Sequence, residues 1–261
     1  MHLIDIGANL THESFRHDFD AVLERARTAG VEQVIVTGAS CAGSEQALAL
    51  ARAHPGTLYA TAGVHPHHAG DYGAEADALL RGLAREPQVV AIGETGLDYF
   101  RDLSPRAAQR AAFEKQLALA IDLAMPLFLH QRDAHDDFLR LLKAARDDVP
   151  GVVVHCFTDD KRALFDYLDL DCHIGITGWI CDERRGTHLR ELVRAIPADH
   201  LLLETDAPYL LPRDIRPPPP DRRNEPMYLA HICETVANER GEVAETAAAN
   251  ATAATRALFG V

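Results

Sequence analysis

The chain has 261 residues, 47% hydrophobic and 25% charged, which supplies one well-buried core and excludes a disordered polymer, while the length suits one large barrel or two small domains. A formal net charge of −13 excludes a protein that coats nucleic acid by bulk electrostatics, because that mode needs a basic surface and counterion release; an enzyme acting on nucleic acid stays open if positive charge is local or supplied by metal ions. The five cysteines form no C-x-x-C pair and read as reduced thiols, and no signal-like N-terminus or transmembrane-length apolar run is present, so a cytoplasmic protein without membrane contact is expected.

In chain order, eight short apolar runs read as strands: Leu3–Asn9, Gln33–Gly38, Leu58–His65, Val89–Glu94, Pro126–His130, Gly151–His155, Cys172–Thr177 and Leu201–Asp206. Helix-patterned segments separate them. The clearest begins at Ser104-Pro105, with Ser104 as N-cap and Pro105 in the first helical position, and runs through Ala107–Ala124 with Phe113, Leu117, Ala120 and Ile121 spaced for one buried face. This alternation predicts a (β/α)8 TIM barrel spanning 1–261 as a single domain, with its site at the C-terminal ends of the strands. An open doubly wound sheet lacks support, since no glycine-rich phosphate-binding turn follows the first strand. The run Pro217–Pro220 is too short for a domain linker and reads as a stiff loop after strand eight.

Six of the eight runs end on a group that can ligate a metal. Glu94 closes strand four, His130 strand five, His155 strand six, and Asp206 strand eight after Glu204-Thr205. A carboxylate after so apolar a run is costly to bury unless it is paired or bound to a cation. Glu94 alone is equally well explained by a salt bridge, and one histidine at a strand end is more often structural than a ligand. Two histidines on consecutive strands with two carboxylates converging on the same end are what divalent-metal hydrolysis requires. Glu94 and Asp206 are then the candidate catalytic groups, with a metal-activated water as nucleophile, Asp206 as its general base and Glu94 able to bridge two ions.

The segments Gly63-Val64-His65-Pro66-His67, Ala91-Ile92-Gly93-Glu94-Thr95-Gly96-Leu97-Asp98, His155-Cys156-Phe157-Thr158 and Glu204-Thr205-Asp206-Ala207-Pro208-Tyr209-Leu210 resemble the signatures of the TatD family of metal-dependent deoxyribonucleases. The resemblance covers essentially the whole chain and implies an amidohydrolase-like barrel. It places the metal ligands on Glu94, His130, His155 and Asp206. Family members commonly carry D-x-H-x-H on strand one, where this chain has Asp5-Ile6-Gly7-Ala8-Asn9, so both imidazoles of the first metal position are missing. Asn9 offers an oxygen and Asp5 a carboxylate in their place. One firmly held ion is therefore expected, with a second bound weakly or with substrate phosphate. The same Gly-x-Asn replacement, with Cys181-Asp182-Glu183-Arg184-Arg185-Gly186 and Arg222-Arg223-Asn224-Glu225-Pro226, is similar to the family's 3'→5' exonuclease branch. That implies hydrolysis of single-stranded DNA and RNA from the 3' end; apart from the resemblance, a monomer acting in DNA repair or nucleic-acid turnover is the expectation. Histidine ligation suits Zn²⁺ or Mn²⁺ whereas the resemblance implies Mg²⁺, so Mg²⁺ is the expected working ion with Mn²⁺ substituting.

Substrate contacts need local positive charge in so acidic a chain. Arg184, Arg185, Arg213, Arg216, Arg222 and Arg223 fall in predicted loops after strands seven and eight, and Arg132 is fixed two residues beyond His130. For most of these arginines a solvated loop charge balanced by nearby carboxylates is the plainer reading. Arg132, Arg222 and Arg223 are taken as phosphate contacts, Trp179 as the stacking platform for unpaired bases, and His65 and His67 as substrate or supporting groups. The competing function is hydrolysis of a small amide or ester by an amidohydrolase-like barrel.

Overall fold

The computed structural model describes residues 1–261. Eight strands, β1 (Leu3–Ala8), β2 (Val31–Val36), β3 (Leu58–Ala62), β4 (Val89–Asp98), β5 (Leu127–Arg132), β6 (Val152–Val154), β7 (His173–Ile176) and β8 (Leu201–Leu203), pair in parallel in chain order within one sheet. The sheet curls until β8 meets β1, where the backbone N–H of Asp206 donates to Gly7 O at 2.8 Å and that of Asn9 to Ala207 O at 2.6 Å. Asp5 fastens the same seam. Its buried carboxylate accepts the backbone N–H of Thr205 (2.9 Å) and of Gly7 (3.2 Å) and the Thr205 hydroxyl, and burial raises its pKa to about 8. Asp5 is thus spent on closing the barrel and does not line the cleft described below, contrary to its expected service as a metal carboxylate.

The helices are α1 (Phe19–Thr28), α2 (Cys41–Ala53), α3 (Ala74–Leu83), α4 (Arg106–Leu123), α5 (His135–Ala145), α6 (Lys161–Leu168), α7 (Thr187–Leu192), α8 (Leu229–Arg240) and α9 (Ala244–Phe259). Each strand is buried on both faces, which is why the strands read as continuous apolar runs. One face packs on the helices. The other fills the barrel, where Ile6, Ile35, Phe128, Val153 and Leu202 cluster with Ala254 and Phe259 of α9. Because side chains alternate along a strand, the residue two places beyond an interior one faces inward again. Phe128, Val153 and Leu202 therefore predict that His130, His155 and Glu204 point into the mouth of the barrel, one layer above the apolar plug.

Strand β4 continues four residues past Glu94 to Asp98, and its register with β5 shifts between Ile92 and Thr95. That irregularity gives the Glu94 backbone N–H to Gly38 O (2.8 Å). Helix α4 starts at Arg106, and Ser104 does not cap it: the Ser104 hydroxyl donates to His67 O at 2.9 Å instead. Phe113, Leu117 and Ala120 are buried as the spacing predicts, and Ile121 packs on the core while partly exposed. All five cysteines are free thiols, and no helix is long and apolar enough to cross a membrane.

Candidate metal centre and nucleic-acid cleft

Three imidazoles surround one carboxylate oxygen at the barrel mouth. Glu94 Oε1 lies 2.8 Å from His155 Nε2, 3.1 Å from His130 Nδ1 and 3.4 Å from His65 Nε2. Burial opposes ionisation of Glu94, but these rings outweigh it and hold its pKa well below the usual carboxylate range. Burial likewise works against charge on His155, yet Glu204 and Glu94 on either side raise its pKa well above the ordinary value. His130 is raised too, against burial, by Asp98 and Glu94. Asp206, also buried, is pushed up to about 7 by burial and by Glu94 and Glu204, with His155 and the Asn9 amide pulling the other way.

The hydrogen bonds on the outer side of each ring decide which nitrogen faces the centre. Nδ1 of His155 bonds Glu204 Oε2 at 3.1 Å, so its Nε2 is the atom offered to a cation, in the carboxylate–histidine–metal arrangement. Nδ1 of His65 accepts the backbone N–H of His67 at 3.1 Å, and burial lowers the His65 pKa to about 3. Neutral His65 therefore carries its proton on Nε2, facing Glu94, and acts there as a donor rather than a ligand. Nε2 of His130 is buried without a hydrogen-bond partner, 3.7 Å from Asp98 Oδ2, whose other close contact is His67 Nε2 at 2.7 Å. Asp206 adopts a left-handed conformation (φ 55°) and accepts the Asn9 side-chain N–H on Oδ1 at 2.9 Å. Buried carboxylates held beside imidazoles form a donor set that fits a divalent cation, and Glu94, His130, His155 and Asp206 are the residues that would hold it.

Glu204 was not among the residues singled out from sequence, and it explains Gly7. A Cβ added to Gly7 would stand 2.6 Å from Glu204 Oε2, and one on Gly175 would stand 2.4 Å from Glu204 Oε1. The fully buried Glu204 carboxylate thus occupies the space that a side chain on β1 would take, and its other oxygen accepts the backbone N–H of Cys156. The signal was present in the sequence, since Glu204 stands two residues past the inward Leu202.

Above this layer opens a cleft of about 860 Å³, lined by Glu94, His130, His155, Asp206, His65, His67, Arg132, Trp179 and Arg222, with Arg223 outside it. Arg223 is a correction. It forks onto Asp18 (2.9 and 2.7 Å) and Glu225 (2.6 Å) and lies over the Phe15 ring, tying the loop after β8 to the start of α1. Arg184 and Arg185 pair with Asp182, and Arg213 with Glu183 and Asp182, as balanced loop charges do. Arg132 stacks on Phe100 with its guanidinium 3.9 Å from the ring centre, and neither Arg132 nor Arg222 has a carboxylate partner. Arg101, overlooked in the sequence, lines the cleft in the same unpaired state. Trp179 lines the cleft with Arg185 over its ring at 4.2 Å, Tyr209 lines it too and is 52% exposed, and Phe157 is a core residue.

Comparison with known proteins bears on this geometry directly. The family model described as TatD related DNase matches residues 4–260. The chain belongs to the TatD family. A relative from Klebsiella pneumoniae (strain 342), named 3'-5' ssDNA/RNA exonuclease TatD, is 54% identical, with 99% of this chain and 98% of the relative covered. The solved structure of a TatD homologue from Escherichia coli K12 superposes with a TM-score of 0.91 at 30% identity, covering 99% of this chain and 98% of that one. An uncharacterized amidohydrolase from Saccharomyces cerevisiae gives 0.86 at 25% identity over 99% of this chain and all of its own. In this chain Gly7 leaves room for the buried Glu204 carboxylate, and Asn9 hydrogen-bonds Asp206.

Proposed function

We propose that this TatD-family chain is a metal-dependent exonuclease that hydrolyses phosphodiester bonds from the 3' ends of single-stranded DNA and RNA. The observation that supports it most is the convergence of His130 and His155 on Glu94 at the floor of a cleft walled by unpaired arginines. A divalent ion at Glu94, His130, His155 and Asp206, Mg²⁺ by preference with Mn²⁺ substituting, supplies a lowered water pKa and polarisation of the phosphodiester. Asp206, buried at the end of β8 with its Oδ1 held by the Asn9 amide, would accept the proton of the attacking water. His65 presents Nε2–H towards Glu94, where it donates to a phosphate oxygen. Arg132 and Arg222 bind the backbone phosphates, and Trp179 with the exposed Tyr209 receives the unpaired bases. With Gly7 and Asn9 in place of imidazoles on β1, the residues present would hold one ion firmly and a second only weakly or together with substrate phosphate. The five free thiols suit a reducing cytoplasm, and the chain works as a monomer in repair or turnover of nucleic acid.

The test offers 3'- and 5'-labelled single-stranded DNA and RNA, and in parallel a panel of cyclic amides and lactones, with Mg²⁺, Mn²⁺ or EDTA. Loss of the 3' label first, with metal only, is expected. Turnover of the small substrates with intact oligonucleotides would replace the nuclease by an amidohydrolase.

A further inference from the structure

Away from the catalytic cluster, three metal-binding atoms of different chemistry come together on the outer side of the loops after β7 and β8. Cys181 ends the short turn Gly178–Cys181 that follows β7, Asp214 lies in the loop after β8, and His231 is in α8. The Cys181 thiol, a carboxylate oxygen of Asp214 and a ring nitrogen of His231 all lie within 4.8 Å of one another. His231 Nε2 and Asp214 Oδ1 are 2.8 Å apart, and Cys181 Sγ is 3.5 Å from the Thr235 hydroxyl one turn further along α8. Cys181 is fully buried while Asp214 and His231 are partly exposed, so the cluster has a donor at its base and solvent access at its rim.

We propose that Cys181, Asp214 and His231 form a second metal site, separate from the catalytic one, for a borderline-soft divalent ion of the Zn²⁺ type. One thiolate, one imidazole and one carboxylate, with a water as fourth ligand at the exposed rim, make a donor set that Zn²⁺ takes in tetrahedral form and that Mg²⁺ disfavours. On binding, the Cys181 Sγ–H proton leaves to solvent and the sulfur lone pair goes to the metal. The three donors come from three elements, so the ion pins the loop after β8 to both the β7 turn and α8. The backbones already meet there: a Cβ on Gly178 would lie 2.3 Å from Leu210 O and 3.1 Å from Pro212. Tyr209, Leu210 and Leu211, a few residues before Asp214, form a wall of the catalytic cleft, so the site holds that wall in place.

Co²⁺ is the probe, titrated into the full-length protein with Mg²⁺ in excess to occupy the catalytic site. A near-ultraviolet thiolate-to-cobalt charge-transfer band is expected in the wild type and in Cys156→Ser, the thiol beside the catalytic cluster. The band disappears in Cys181→Ser. Asp214→Asn, an exposed change that leaves the fold intact, weakens Co²⁺ binding at least tenfold, and Zn²⁺ slows tryptic cleavage after Arg213 in the wild type but not in that variant. No band in the wild type, a band that survives Cys181→Ser and vanishes in Cys156→Ser, or unchanged affinity in Asp214→Asn overturns the proposal and leaves His231–Asp214 as an ion pair.

Discussion

Glu204 shows how a single buried carboxylate can decide the character of a metal centre. It is fully buried, holds His155 through Nδ1, and fills the volume left open by Gly7. Removing the carboxylate charge in Glu204→Gln leaves the ring without its anionic partner, and changes of this kind typically weaken metal affinity roughly 10- to 100-fold. Gly7→Ala drives a methyl group against the same oxygen and shifts affinity in the same direction. Calorimetric titration with Mn²⁺ measures both, and wild-type affinity in Glu204→Gln would show that His155 needs no orienting partner. The four groups at the strand ends, Glu94, His130, His155 and Asp206, were visible in the sequence because polar residues interrupt apolar runs at the same place. Glu204 was hidden by its neighbour Asp206. Which side of His65 carries its proton was not legible at all, since it depends on the backbone N–H of His67 turning back onto Nδ1.

At the scale of elements, the loops after β7 and β8 divide their arginines between structure and substrate. Sequence position alone treats Arg222 and Arg223 as equals, yet one lines the cleft without a partner and the other is locked between Asp18 and Glu225. Only the path of the chain, with Arg222 at φ 56°, separates them. Substituting Arg132 or Arg222 with Ala is expected to weaken single-strand binding across sequences and to lower the slope of log affinity against log salt by about 0.7 each, without altering metal affinity. Fluorescence anisotropy at several salt concentrations reads the slope. Arg223→Ala, in contrast, leaves the slope unchanged and destabilises the fold by about 1–3 kcal/mol, because Glu225 and Asp18 lose their charge-assisted hydrogen bonds to Arg223 and keep only those to Arg25. The Arg223 hydrogen bonds, assisted by Arg25, lower the Asp18 pKa despite some desolvation. A depressed folded-state pKa means that this stabilisation is complete above the ordinary carboxylate value of about 4 and fades as pH falls through the folded value. Urea midpoints for wild type and variant should therefore converge in acid; a gap that widens there would contradict the pairing.

The whole molecule is a barrel whose interior is stacked in layers, apolar at the level of Phe128, Val153 and Leu202, and chemically active one step of two residues higher. That rule made the eight strands and the fold legible from the sequence, with strand ends displaced by a few residues where pairing stops and the chain turns into the site. How β8 is fastened to β1 was not legible, because Asp5, read as able to offer a carboxylate at the missing imidazoles, instead holds the seam. A net charge of −13 is reconciled with a polyanionic substrate by the few arginines that the fold leaves without partners in the cleft and by the cation at its floor. The most direct measurement of this account is a time course on a 5'-labelled single-stranded oligonucleotide in Mg²⁺, run for the wild type and for Glu94→Ala purified identically. The wild type should give a ladder shortening stepwise from the 3' end that EDTA abolishes, and Glu94→Ala should give none. An undiminished ladder from Glu94→Ala, or one that persists in EDTA, would place the chemistry somewhere other than the ring of imidazoles around Glu94.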